Sequence, residues 1–372
     1  MIIAVNTNFL LKGYKEGYGK FIYECFSIIV RRYPNHIFIF IFERPVDPSF
    51  IFSPNIIPVV IGPKAKNLLL LKFWYNYKIP AVLKKYKADL FINTDVVCSL
   101  RTNVPQLLLI HELTFLNYPE LVSKKYLKYY KKYTPKFLNK AKLVTALSNF
   151  CKNNIIKNYK IDAGKIEVVY GGVDEFFSPI DFNEREKIKE QYSQGNEYFL
   201  FYFSLGPWKN LLFVLKAFSV LKKWQKSGIQ LLIVASSALR SEELQSLRLF
   251  KYHKDVKILE EMQYELKQIT AAAYAILDFS YYKSFGIHSL EAMKCSVPVI
   301  TDNKSAMPEI CGDAALYVNP NEYRDLAEKL MMIFKDEKLR KELIEKGEEQ
   351  AQKYSWEKTS ELFWESILKA SH

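Results

Sequence analysis

The sequence predicts two doubly wound α/β domains, each a parallel sheet flanked by helices. Three observations carry this expectation. Short apolar runs such as IFIFIF, within His36–Glu43, alternate with stretches of helical period along the whole chain. Such alternation indicates βαβ units. A length of 372 residues is a natural size for two domains. Charge is also split between the halves. Residues 1–180 hold 26 Lys and Arg against 12 Asp and Glu, a net of +14; residues 181–372 hold 27 against 28, a net of −1.

In the first half, strands are expected at Ile2–Thr7, His36–Glu43, Ile56–Ile61, Asp89–Asn93, Gln106–His111, Lys142–Ala146 and Ile166–Tyr170. Helical patterns lie between most of them, at about Lys20–Arg32, Leu68–Lys85, Glu120–Leu138 and Asn149–Asn158. YGGVDEFFSP (Tyr170–Pro179) reads as a turn-rich linker, followed by the charged stretch Asp181–Glu197. The boundary is placed there, giving a first domain over 1–178 and a second over 179–354, with 355–372 as a terminal helix. The second half repeats the alternation. Its strands are expected at Phe199–Ser204, Gln230–Ala235, Val256–Leu259, Ala275–Ser280, Pro298–Thr301 and Leu316–Val318. Helices follow at about Asn210–Trp224, Ser241–Lys251, Glu265–Ala272, Ile287–Lys294 and Glu322–Phe334, then Leu339–Lys353 and Ser355–Lys369.

Composition narrows the class. Hydrophobic residues make up 49% and charged residues 25%, a normal globular balance. No apolar run approaches the roughly 20 residues that span a bilayer, and Met1 leads straight into a strand-like run, so no signal peptide is expected. The five cysteines are scattered without a CxxC, which points to reduced thiols in the cytoplasm and away from a structural zinc. The basic first half calls for an anionic partner. Two stretches, Lys66–Lys87 and Ser123–Lys142, mix lysines with Tyr, Phe and Trp. That mixture suits the headgroup layer of an anionic membrane. It also fits a core-facing stripe with solvated lysines opposite, or a nucleic-acid surface, although no nucleic-acid motif accompanies it.

The stretch Tyr281–Pro298, YYKSFGIHSLEAMKCSVP, reads as a strand end, a tight turn and a helix start. The unsatisfied N–H groups and positive dipole end of such a helix suit a phosphate. Gly286 allows close backbone approach. Glu291, about one turn on, can accept hydrogen bonds from sugar hydroxyls. The same stretch is equally an ordinary βα unit. LGPWKNL places Lys209 at another strand-to-helix turn, where an ammonium can neutralise a leaving phosphate. In the first half, Gly13, Gly17 and Gly19 precede a helix without the GxGxxG spacing. His111 closes an apolar strand at the carboxyl end, where functional side chains gather in open parallel sheets.

Taken in order, these stretches resemble the retaining glycosyltransferases of family 4, with the GT-B architecture: two Rossmann-like domains facing a central cleft. The resemblance rests on the Gly17–Gly19 loop; IHELTFLNYPE; LVTALSNFCKNNI with KIEVVYGGVDEFFSP; LGPWKNLLFVLKAF; SFGIHSLEAM with VPVI; MPEICGDAALYVNP; and YSWEK. It implies a nucleotide-diphosphate sugar donor and no metal. Lys209 would contact the diphosphate, and Gly286 and Ile287 would offer it backbone N–H groups. Glu291, the second acid of the family's E-x7-E motif, would hold the ribose. Gly17 or Gly19 would approach the phosphate, and His111 would face the transferred sugar. Lys283, Ser284 and Phe285 complete the donor-side turn, and the last helix would return to the first domain. Family members resembling this chain build bacterial surface polysaccharides, which implies a lipid-linked or glycan acceptor. The implied location is the cytoplasm, in peripheral contact with the inner face of the membrane.

Two departures stand out. Lys283 occupies the position of the motif's first acid, and Trp208 that of an arginine preceding Lys209. A lysine cannot accept a sugar hydroxyl's hydrogen bond. Either Lys283 contacts the diphosphate or an acidic sugar, or the donor is unusual, or the protein is a catalytically impaired partner or glycan-binding subunit. Because position 283 should face the sugar and not the base, Lys283→Glu is expected to change sugar selectivity more than nucleotide affinity.

Overall fold

The computed structural model describes residues 1–11, 17–111, 113–203, 211–235, 245, 247–260, 265–279 and 283–372. These form two units, Met1–Gly172 with Trp356–His372, and Val173–Ser355. The change at Gly172 falls inside the turn-rich linker and earlier than residue 178. Val173 already belongs to the second unit, because it bridges Ser355 and its N–H donates to the Tyr354 carbonyl.

The first unit is a seven-stranded parallel sheet in the order β3-β2-β1-β4-β5-β6-β7. Its strands are β1 (Ile2–Asn6), β2 (Ile37–Phe42), β3 (Ile56–Val60), β4 (Leu90–Asn93), β5 (Gln106–Ile110), β6 (Leu143–Ala146) and β7 (Ile166–Val168). Runs such as QLLLI read as continuous apolar stretches because both faces of the inner strands are covered. The helices are α1 (Gly17–Arg32), α2 (Leu68–Phe73), α3 (Ile79–Lys85), α4 (Thr114–Asn117), α5 (Lys124–Lys140) and α6 (Asn149–Tyr159). A π-helical turn, Trp74–Lys78, joins α2 to α3, so the expected single helix over Leu68–Lys85 is continuous but locally wider. The helix expected from Glu120 starts four residues later, because Pro119–Leu121 forms a separate 3₁₀ turn.

The second unit is a six-stranded parallel sheet in the order β10-β9-β8-β11-β12-β13. Its strands are β8 (Tyr198–Phe203), β9 (Gln230–Ala235), β10 (Val256–Glu260), β11 (Ala275–Asp278), β12 (Val299–Asp302) and β13 (Ala315–Val318). The described helices are α7 (Phe182–Ser193), α8 (Leu211–Trp224), α9 (Leu266–Ala271), α10 (Ile287–Lys294), α11 (Met307–Cys311), α12 (Tyr323–Lys335) and α13 (Glu337–Ala351). Most of the helix expected at Ser241–Lys251 lies outside the described residues.

Helix α7 occupies the stretch read from sequence only as charged. Asp181 caps it by accepting from the Glu184 N–H at 2.9 Å. Its apolar signal is weak because few apolar side chains, Ile188 and Tyr192 among them, are buried. The ammonium of Lys189, itself buried, reaches Glu186 at 2.9 Å and Glu197 at 2.5 Å.

The last helix, α14 (Trp356–Ser371), belongs to the first unit and packs on α1. Phe363 meets Phe21 edge to face at 5.3 Å, and Trp364 stacks on Tyr33 at 3.9 Å. Arg32 pairs with Glu361 at 2.7 Å. The aromatic spacing along both helices makes this contact.

In each sheet the strand order reverses once, between β1 and β4 and between β8 and β11. Open α/β sheets bind ligands outside the carboxyl ends of strands at this reversal. In sequence, β8 is followed by LGPWKN, which lies outside the described residues, and β11 by YYKSFG, described from Lys283 onward.

Candidate active site

In the second unit, β11 ends on Asp278, which is fully buried. Its carboxylate receives the Lys283 ammonium and the Ser289 hydroxyl, the latter at 2.7 Å. Its carbonyl accepts from Thr301 Oγ1 at 2.8 Å. One buried acid therefore ties the strand end to the turn and to the first turn of α10. The Lys283 carbonyl accepts from the Ala306 N–H at 3.1 Å, which joins the turn to the segment after β12. Asp302, at the end of β12, is 1% exposed, and burial pushes its carboxyl up to about 6, with Lys283 opposing the shift. So Lys283 is engaged within a cluster of two acids.

Gly286 precedes α10 with φ −115°, a conformation open to any residue. Space is tight there: a Cβ would lie 2.8 Å from Met307 Cε and 3.0 Å from its Sδ, so the end of that side chain would have to shift. Ile287 opens α10, while Phe285 packs its ring near Tyr354 at 5.9 Å. Ser284, just before Phe285, is partly exposed. Glu291 is 3% exposed, and its Oε2 lies 3.0 Å from His288 Nδ1. The His288 ring stacks on Tyr202 at 4.4 Å, and Tyr202 bonds Thr270. The ring that holds Glu291 is thereby itself braced by a side chain of β8. Sequence reasoning missed Asp278, His288 and Tyr202. An acid closing the apolar run AILD was the available signal for Asp278. Lys209 and Trp208 lie outside the described residues, as do residues 280–282.

In the first unit, His111 stands directly after β5, 6% exposed. Its ring packs against Tyr18 at 3.8 Å and edge-on to Phe21 at 5.5 Å. Tyr18 in turn stacks on Phe9 at 4.9 Å. Nε2 has no hydrogen-bond partner among the described residues, and burial lowers the imidazole to about 3. His111 is therefore neutral at physiological pH, with Nε2 buried and unpaired among the described residues. Gly17 opens α1 with φ +52°, the left-handed region in which glycine is unstrained, and Gly19 is buried two residues on. Gly13 and Glu112 lie outside the described residues. Beside this edge, Asn6 at the end of β1 donates to Asn93 Oδ1 at 2.7 Å and to Tyr75 Oη at 3.1 Å. That buried network closes the floor at the strand reversal, and sequence reasoning did not find it. The only hint was an asparagine at the end of each of two apolar strands.

A second surface of the first unit carries the lysine–aromatic stretches. Leu69, Phe73 and Tyr77 are 76%, 43% and 49% exposed and recur every four residues. Phe73 stacks on Tyr77 at 5.4 Å across the π turn. Arg101 lies over Tyr77 at 4.4 Å, and Lys72 over Tyr133 of α5 at 4.9 Å. All seven lysines of α5 are exposed, and the helix has no acid. Leu127 with Lys124, Lys128, Lys131 and Lys132 lines a shallow cavity of about 480 Å³.

Comparison with known proteins settles the family. The Glycosyltransferase Family 4 model matches residues 30–175, and the Glycosyl transferases group 1 model matches residues 182–350. The chain is a family 4 glycosyltransferase. O-antigen chain mannosyltransferase B of Escherichia coli is 26% identical to this glycosyltransferase over 260 residues, which is 66% of each chain. O-antigen chain mannosyltransferase RfbU of Salmonella typhimurium is 29% identical over 274 residues, 72% of each. Among solved structures, Anabaena HepE in complex with UDP-glucose superposes with a TM-score of 0.76 at 18% identity, over 99% of both chains. The two-sheet architecture of this glycosyltransferase is thus the GT-B fold. None of its described helices is long and apolar enough to cross a membrane.

Proposed function

We propose that this glycosyltransferase moves a sugar from a nucleotide-diphosphate sugar to a lipid-linked or polysaccharide acceptor, with retention at the anomeric carbon, in the assembly of a bacterial surface glycan. The observation that carries the reading is the arrangement of Lys283–Gly286 and the start of α10 at the strand reversal of the second unit. Relatives named as O-antigen mannosyltransferases support the glycan class. A structural neighbour bound to UDP-glucose supports the donor class.

The chemistry follows from the residues. The anomeric C–O bond breaks toward an oxocarbenium-like state, and negative charge grows on the departing diphosphate. Lys209 and the N–H groups of Gly286 and Ile287 would stabilise that charge, and none needs to move during the reaction. Glu291 would hold the ribose hydroxyls, with His288 fixing its carboxylate. The unpartnered Nε2 of His111 would bond a hydroxyl of the transferred sugar. Gly17 and Gly19 would let the first unit's backbone approach the phosphate. A phosphate oxygen would take the acceptor's proton, so no protein nucleophile is required. No metal enters this scheme, and activity should survive EDTA. The reading includes peripheral contact of the lysine–aromatic surface with an anionic membrane.

The test is transfer of radiolabelled sugar from a panel of nucleotide sugars to lipid extracts of the source cells, with product anomericity read by NMR. Transfer that vanishes in Glu291→Ala supports the reading. Donor binding without transfer to any acceptor would favour the impaired, glycan-binding alternative.

A further inference from the structure

The geometry around β11 assigns a role to Asp278 that the motif does not predict. We propose that Asp278 and Lys283 form a positioning pair that fixes the donor-side turn, and that Lys283 makes no contact with the donor. This inference rests on the proposed reading of the turn as a nucleotide-sugar site.

Three observations carry it. Asp278 is fully buried, and its two oxygens are engaged by different segments: Oδ1 by the Lys283 ammonium in the turn, Oδ2 by Ser289 in α10 at 2.7 Å. Such bonds fix the angle between the strand end and the helix whose N-terminus faces the ligand edge. The Lys283 side chain is 11% exposed, so its charge is spent inside the protein. And Asp302 gives the cluster a second buried acid that also interacts with Lys283. Position 283 should hold a carboxylate that reaches toward the sugar. Here the sign is reversed, and an acid at the end of β11 balances it. A buried ammonium with an acid partner is stable; one that leaves its partner to reach a ligand would strand Asp278 uncompensated. The donor hydroxyl that the missing carboxylate would bind must therefore find its partner elsewhere.

The experiment measures the affinity of the purified full-length protein for UDP, GDP and ADP, with the matching monophosphate as control. The variants are Lys283→Met, Asp278→Asn, their combination, and Lys283→Arg. A positioning pair predicts that both single variants lose about tenfold or more in diphosphate affinity, with a smaller loss for the monophosphate. The double variant should lie within about threefold of the weaker single, because both remove one interaction. Lys283→Arg should retain most of the affinity. Direct contact between Lys283 and the diphosphate predicts otherwise: Asp278→Asn would free the ammonium, and affinity would hold or rise. That result, or unchanged affinity in Lys283→Met, overturns the proposal. If Asp278→Asn does not fold, Ser289→Ala removes the other bond to Asp278 and should lower affinity in the same direction; unchanged affinity would overturn the proposal. A wild-type protein that binds none of the three diphosphates fails at the level of the proposed function itself and overturns both.

Discussion

His111 is neutral at working pH because burial withdraws its ring from water, lowering its pKa from 6.5 to about 3. Unfolding restores the ordinary value. Between about pH 6.5 and pH 3 the unfolded chain therefore binds the extra proton. Stability rises with pH through that window and is lost as pH falls, by roughly 5 kcal/mol at most. Acid unfolding of His111→Gln should be shallower over that range than that of the wild type, as read by circular dichroism. Transfer activity should likewise show no limb from this imidazole between about pH 6 and pH 8. The buried pair changes the outcome expected of Lys283→Glu. The new carboxylate would sit against Asp278, with Asp302 nearby. The expected result is loss of stability, of order 3 kcal/mol, instead of a change of sugar preference. A thermal midpoint within a degree or two of wild type would contradict that.

At the scale of elements, the strands were legible because their apolar runs are long and continuous, as in IFIFIF and QLLLI. The turn at Lys283–Gly286 was legible as a strand-to-helix connection because it follows one such strand and precedes α10. Three kinds of feature were not. Helix α7 is held by a cap and by Lys189, which pairs with acids on either side, and such polar bonds leave no apolar period to read. Asp181→Ala should cost about 1 kcal/mol, measured by denaturant unfolding. The partners of Lys283 and Glu291 were also hidden. Asp278 is five residues from Lys283 across a turn, and the Tyr202 ring that stacks on His288, the partner of Glu291, comes from a different strand. Spacing in sequence does not show which side chains meet at a sheet edge. The π turn is a third case. A regular helix advances 400° over four residues, so a row at every fourth position drifts around it. The wider π turn offsets that drift and keeps Phe73 stacked on Tyr77.

At the scale of the molecule, the charge split matches a division of labour between the halves. The near-neutral second half carries the turn and helix at the proposed donor site, and the basic first half carries the lysine–aromatic surface. Each lysine near an anionic bilayer contributes about 1 kcal/mol, and the exposed Leu69 and Phe73 add apolar contact. The protein should sediment with vesicles containing anionic lipid and not with purely zwitterionic ones. Replacing Lys128, Lys131 and Lys132 by Glu should weaken that binding at least tenfold, and equal binding to both vesicle types would remove the membrane from the account. The central claim is that the second unit holds a nucleotide-diphosphate sugar. A thermal-shift screen against UDP, GDP, ADP and CMP and their sugar conjugates tests it most directly. A ligand bound only by the folded state adds about 2.7 kcal/mol at a hundred times its dissociation constant. The account predicts a clear rise in midpoint with one nucleoside diphosphate and its sugar conjugate, reduced in Glu291→Ala. No rise with any of them would contradict it.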